Sequence, residues 1–141
     1  MLGSLACLAL GRGMTAPLVF VLPLPVNLGN ARFGHWSNLH RTKTQYWNVL
    51  DLMAMAKRIP RKPAAPMMRS LMDVEIHHTH DCDHTNRETR VKWVEDWLTT
   101  RGYIVDDSDA HLKRTGEVRL VRCRKVADRK LVLTLTPLEA A

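Results

Sequence analysis

Short apolar runs alternate along this chain with polar, proline-rich and glycine-rich stretches, and the spacing within each run predicts its element. Leu18-Val19-Phe20-Val21-Leu22 is apolar and partly β-branched and is closed by Pro23 and Pro25, which predicts a strand. Asn27 to His40 carries Gly and Asn and predicts a loop. From Thr44 to Lys57, Tyr46, Val49, Leu50, Met53 and Ala56 recur at helical spacing, with Thr42 or Thr44 placed to cap the start. Pro60, Pro63 and Pro66 make the stretch from Ile59 to Pro66 a linker. Ser70 to His80, with Leu71, Val74 and Ile76 inside it, predicts a strand, and Asp81 to Thr85 a polar loop.

A second helix is expected from Arg87 to Arg101. Its apolar stripe is Val91, Val94, Trp97 and Leu98, with Trp93 beside it. Thr85-Asn86-Arg87-Glu88 has the form of a capping box, and Gly102 suits a C-terminal cap. Tyr103-Ile104-Val105 predicts a short strand ending in Asp106-Asp107. Two more strands are expected at Val118–Val126 and Leu131–Thr136, where Leu131, Leu133 and Leu135 alternate with Val132, Thr134 and Thr136. Together these elements predict one α+β domain without repeats, a mixed sheet flanked by helices, over residues 16–137, with 138–141 as a tail.

The apolar stretch Met1 to Gly13 has no basic residue ahead of it and is short for a secretory signal. No run reaches the roughly 18 apolar residues of a membrane helix. Met14 is the expected functional start, with residues 1–15 as an extension outside the fold. The cysteines, Cys7, Cys82 and Cys123, are odd in number, scattered and without a CxxC. They form no disulfide framework and fit a reducing cytoplasm. At 141 residues, 45% hydrophobic and 25% charged, the chain has the size and composition of one globular domain.

Charge changes the picture. The formal net charge is +7, a balance that favours polyanionic partners such as nucleic acid and specifies no fold. Residues 1–72 hold a single acid, Asp51, whereas eight of the fourteen acids fall between Asp81 and Asp109. Carboxylates gathered into one stretch of a basic protein suit a divalent cation. Asp83 and Asn86 lie in a loop feeding a helix N-terminus, where backbone N–H groups favour an anion such as phosphate. Lys92 and Asp96 are four apart and share a helix face. A strand–loop–helix–strand unit can bring that loop and Asp107 together around one Mg²⁺, with Lys92 close by. These are the parts of phosphodiester hydrolysis: a hard cation to polarise the phosphate and activate water, and an ammonium to stabilise developing charge.

Asp83-x-x-Asn86, Lys92, Asp96 and then Ile104-Val105-Asp106-Asp107-Ser108, with Gly102 before the strand, resemble the RusA family of phage and prophage Holliday-junction resolvases. Leu22-Pro23-Leu24-Pro25-Val26-Asn27 is similar to that family's opening strand and turn, so the resemblance spans about residues 16–137; its specific part is 83–108. The resemblance implies a RusA-like fold and a homodimer. It also implies Mg²⁺-dependent, paired symmetric nicking of four-way DNA junctions in recombination and repair, with Mn²⁺ as a substitute metal. By the same resemblance Asp83 and Asp107 are metal ligands, Asp106 is a further one, and Lys92 is the catalytic lysine. Asn86 orients the loop or contacts DNA. Many members carry a second Asp where this chain has Thr85, and a hydroxyl is a poor replacement for a carboxylate ligand. Either Asp83, Asp107 and Asp106 suffice, or Asp81 supplies the missing oxygen. The alternative is a junction-binding protein that kept the fold and lost catalysis.

Each feature also has a plainer reading. Asp106-Asp107 alone suits an Asx turn, and Lys92 with Asp96 an exposed ion pair. His77, His78, His80, Cys82 and His84 include zinc-ligand types, but no second ligand pair stands at finger-like spacing; lining a DNA-facing strand and loop is the simpler role. Trp47, Trp93 and Trp97 fall in expected helices and read as core or subunit interface. Trp36, among Arg32, Arg41 and Lys43, is the candidate for DNA contact, and Arg114 belongs to a second basic set on the last strands.

Overall fold

Three rows of apolar side chains explain the sheet. β1 (Leu18–Leu22) pairs antiparallel with β5 (Lys130–Pro137), which pairs antiparallel with β2 (Ser70–His78). The register aligns Leu18–Leu135–Met72, Phe20–Leu133–Val74 and Leu22–Leu131–Ile76 across the three strands. Because side chains alternate in a strand, these rows share one face, and all but Leu18 are buried. The opposite face carries Val19, Thr134 and Asp73 in one row and Val21, Val132 and Glu75 in the next.

The computed structural model describes residues 16–25, 36–81 and 84–138. On its other side β2 pairs parallel with two short strands in succession, β3 (Leu112–Arg114) near its start and β4 (Arg119–Arg122) near its end. The described chain is therefore an α+β domain with a mixed five-stranded sheet in the order β1-β5-β2, with β3 and β4 sharing the last edge. Helices cover the apolar face: α1 (Trp36–Met55) contributes Leu50, and α3 (Lys92–Thr100), with Val91 just ahead of it, contributes Val91, Val94, Trp97 and Leu98 to the core.

Several boundaries differ from the sequence reading. α1 begins at Trp36, so the expected loop Asn27–His40 gives way to helix over its last five residues, and Thr42 and Thr44 lie inside the helix instead of capping it. Residues 37–43 are polar except for Leu39, so this part of the helix carries no apolar stripe by which the sequence could show it. The expected continuous helix Arg87–Arg101 is two: α2 (His84–Thr89) and α3, separated at Arg90 and Val91. The break is made by tight i→i+3 bonds, Arg90 N to Arg87 O and Val91 N to Glu88 O. Arg90 also donates to the Pro25 carbonyl at 2.5 Å while Val91 is driven into the core. Thr85 therefore lies within α2, one residue past its start.

The Tyr103–Val105 strand reduces to one parallel bridge between Ile104 and Met67, because the chain turns at once into Asp106–Ser108. β2 stops at His78, two residues early. The strand expected at Val118–Val126 keeps only Arg119–Arg122. Cys123 N–H makes the last bond, to His78 O, where β2 itself ends, and Val126–Asp128 forms a 3₁₀ turn. Gly102 does cap α3. It sits at φ +85°, with Gly102 N–H on Thr99 O and Tyr103 N–H on Leu98 O, a Schellman arrangement.

Candidate active site

The Schellman turn sends the chain from α3 back along Met67, so the Asp106–Ser108 turn comes to lie beside the start of α3. The Lys92 ammonium, at the first residue of that helix, is 3.2 Å from Asp107 Oδ2 and 3.2 Å from Asp96 Oδ1. Asp96 is in turn held at Oδ2 by Lys43 Nζ of α1, at 3.4 Å. One carboxylate is thus gripped by lysines from two helices, and one lysine spans carboxylates from two elements. The two carboxylates raise the Lys92 pKa, that of Asp96 first, and the 58% exposure of the side chain favours the ammonium as well. Asp106 turns its own carboxylate onto the Asp107 N–H at 2.9 Å. The Ser108 hydroxyl and that N–H hold Asp106 below the usual carboxylate range.

A second layer lies against this cluster and escaped the sequence reading. Arg114, at the end of β3, forks to Glu88 Oε2 of α2 at 3.3 Å and makes a short contact with Glu95 of α3. Glu95 is only 14% exposed. Burial pushes its carboxyl up, Arg114 pulls it down, and the neighbouring Asp107 charge adds to the upward push. Glu88 and Glu95 are seven residues apart, a spacing that puts two carboxylates on one helical face. That was the available signal. Nothing in the sequence placed the Arg114 guanidinium between them.

The other expected site residues are placed as follows. Lys43, expected at DNA, pairs with Asp96; Arg114, also expected at DNA, is occupied by the two glutamates; Arg41 is exposed on α1. Asp81 is not drawn into the Lys92 cluster. It is 82% exposed and pairs with Arg122 Nη1 at 2.7 Å, beyond the end of β2. Asp83 and Arg32 lie outside the described residues, as do the side chains of Trp36 and Asn86, whose backbones belong to α1 and α2. Of the tryptophans, Trp93 and Trp97 are buried, and Trp47 donates its indole N–H to the Trp93 carbonyl at 3.1 Å.

Among the histidines, His77 pairs with Glu75 at 3.3 Å, and His78 Nδ1 accepts the His80 N–H at 2.9 Å. Burial, followed by the charges of Arg129, Arg90 and His80, lowers the His78 pKa from its ordinary value.

No protein-family model matches the chain, and no curated protein matches it.

The donor chemistry can be set against a hard divalent cation. Among the described residues, Lys92 contacts Asp96 and Asp107, Asp106 lies beside Asp107, Lys43 holds Asp96, and Arg114 holds Glu88 and Glu95 in the adjoining layer, so five carboxylates and three cations form the region. A locally acidic, all-oxygen set on a chain of net charge +7 fits Mg²⁺ better than a soft metal. Among the described residues no three His, Cys, Asp or Glu side chains form a ready metal cage. Asp107 and Asp106 would be the ligands among the described residues; Asp83, the other expected ligand, lies outside them.

Proposed function

We propose that this protein is a Mg²⁺-dependent, structure-selective DNA endonuclease of the RusA type, resolving four-way junctions by paired symmetric nicks. The observation that carries the reading is the Lys92 ammonium bridging Asp107 and Asp96 at 3.2 Å each, inside an acidic cluster of a basic protein. That is the lysine and the aspartate which the resemblance named for catalysis. They are fifteen residues apart in sequence and adjacent in space.

In this reading Asp107, Asp106 and Asp83 hold the metal, with Mn²⁺ as a substitute. Mg²⁺ supplies phosphate polarisation and a more acidic water. Lys92 places its proton-bearing ammonium where charge develops on phosphate or leaving-group oxygens. Asp96, steadied by Lys43, aims Lys92, and the Arg114 fork holds α2 and α3 in register beneath them. Arg32, Trp36, Arg41 and Asn86 remain the proposed DNA contacts, whose phosphate interactions set position and not sequence. Two symmetric nicks ask for two active sites related by a two-fold axis, hence a homodimer. Among the described residues no helix is long and apolar enough to cross a membrane.

Thr85, where a second Asp is typical, supports a second reading: a junction-binding relative without catalysis. Cleavage of an end-labelled synthetic four-way junction in Mg²⁺ separates the two. Symmetric nicks lost in both Asp107→Asn and Asp83→Asn support the nuclease. Tight binding without cutting, in Mg²⁺ or Mn²⁺, supports the second reading. Neither binding nor cutting removes both.

A further inference from the structure

Away from the Lys92 cluster, a cleft of about 720 Å³ opens where α1 ends. Its walls are the last turn of α1, the proline segment from Ile59 to Lys62, and Arg101 with Tyr103 after α3. Asp51 lines it and Lys43 anchors the active-site cluster. Eight residues of α1, about 12 Å, separate the two. The volume lies within the range of roughly 300–1,000 Å³ typical of ligand sites.

The cleft is held in shape by its own walls. Tyr103 Oη donates to the Pro60 carbonyl at 2.7 Å. Asp51, the one acid in the lining, accepts from Trp97 Nε1 at 2.9 Å and from Arg101 Nε and Nη2 at 2.9 and 2.8 Å, so its charge is already spoken for. Lys57, Arg61 and Lys62 are exposed at the rim and take no ion pair among the described residues. Between them lie apolar surfaces: Ile59 on the floor, and Met55, 79% exposed, at the mouth.

Lys57 adds an independent sign. α1 ends in a Schellman turn, with Lys57 N–H on Ala54 O and Arg58 N–H on Met53 O, and Lys57 occupies the left-handed position at φ 60°. Glycine is the residue this position favours, and a side chain there costs about 1 kcal/mol. A lysine occupies it here, and that residue lines the cleft.

We propose that this cleft binds an acidic peptide segment of a partner protein that carries an apolar side chain. Charge complementarity asks for an anion, since three unpaired cations flank a neutralised acid. The apolar floor and the concave shape favour a side chain over a duplex, whose phosphates need cations and N–H groups but no apolar seat. The inference does not rest on the nuclease reading.

The test uses the full-length protein and a fluorescein-labelled peptide of alternating Asp and Gly ending in Leu-Phe, followed by fluorescence anisotropy at physiological salt. Saturable binding is expected. It should weaken about tenfold in Arg61→Glu/Lys62→Glu, and several-fold when Gly replaces the terminal Leu-Phe. Lys57→Gly should also bind more weakly while its unfolding midpoint is unchanged or higher, which separates the lost cation from any damage to the fold. No saturable binding, equal binding by Arg61→Glu/Lys62→Glu, or indifference to Leu-Phe would overturn the proposal. So would a charge-reversed variant that loses duplex-DNA affinity while its peptide binding stays intact.

Discussion

Replacing Arg114 by Gln removes one cation from between two carboxylates that come from different helices. Breaking a fully buried ion pair from one side costs about 3–5 kcal/mol, whereas an exposed pair is worth about 0–1. Here Glu95 is 14% exposed, Arg114 27% and Glu88 33%, so the site lies between those limits. Glu88 retains access to water, and most of the penalty falls on Glu95. A loss of about 2 kcal/mol near neutral pH follows. The pH dependence gives the sharper signature. Burial already raises the Glu95 carboxyl, with Arg114 opposing; without Arg114 it rises further. A carboxyl raised in the folded state binds its proton more tightly there than when unfolded. Its favourable contribution is therefore present at low pH and lost as pH rises from the ordinary carboxylate range through the folded value. Arg114→Gln should thus be more destabilised at pH 8 than at pH 5 in urea unfolding, and Glu95→Gln added to it should recover about half the loss and flatten the profile. A loss under about 0.5 kcal/mol, or one independent of pH, would refute the view of Arg114 as a clamp on a half-buried carboxylate.

On the proposed nuclease reading, Lys92→Met should leave junction binding within a few-fold of wild type and lower cleavage by about 100-fold or more, read on the same labelled junction. Asp96→Asn, which loosens both Lys92 and Lys43, should lower the cleavage rate less than Lys92→Met does, and equal or larger damage would give Asp96 a direct role. Gly102→Ala meets no atom within 4 Å, so its cost is that of the left-handed backbone alone, about 1–2 kcal/mol by denaturant titration. Leu133→Ala, at the centre of the middle apolar row, should cost about 2–5 kcal/mol and leave a two-state transition at lower urea.

Local pattern was enough wherever one residue's neighbours decide its state. The alternation of Leu131, Leu133 and Leu135 marks β5 because a strand buries every second side chain, and all three are fully buried. The stripe Val91, Val94, Trp97 and Leu98 marks the buried side of α3, and Gly102 marks its end through a backbone angle that glycine adopts freely. Lys92 and Asp96 share a face by helical arithmetic, and they do pair. The same arithmetic failed at the Arg90–Val91 break. There the chain tightens into i→i+3 bonds, and the Arg90 side chain reaches the Pro25 carbonyl, a partner sixty-five residues away that no local period reveals. β3 went unseen because three residues show no period, and they are a strand only by virtue of pairing with β2.

The sequence by itself thus determined the class of fold, its central strands and buried helix face, and the residue types of the candidate site. Periodicity and residue chemistry are local properties. Tertiary structure alone decided that Lys92 meets Asp107 and that Lys43 secures Asp96. It likewise turned Arg114 inward to Glu88 and Glu95 and left Asp81 with Arg122. Those choices depend on which charges the packing of α1, α2 and α3 on the sheet brings within a few ångströms. Attraction between charges acts through that distance, and spacing along the chain does not set it.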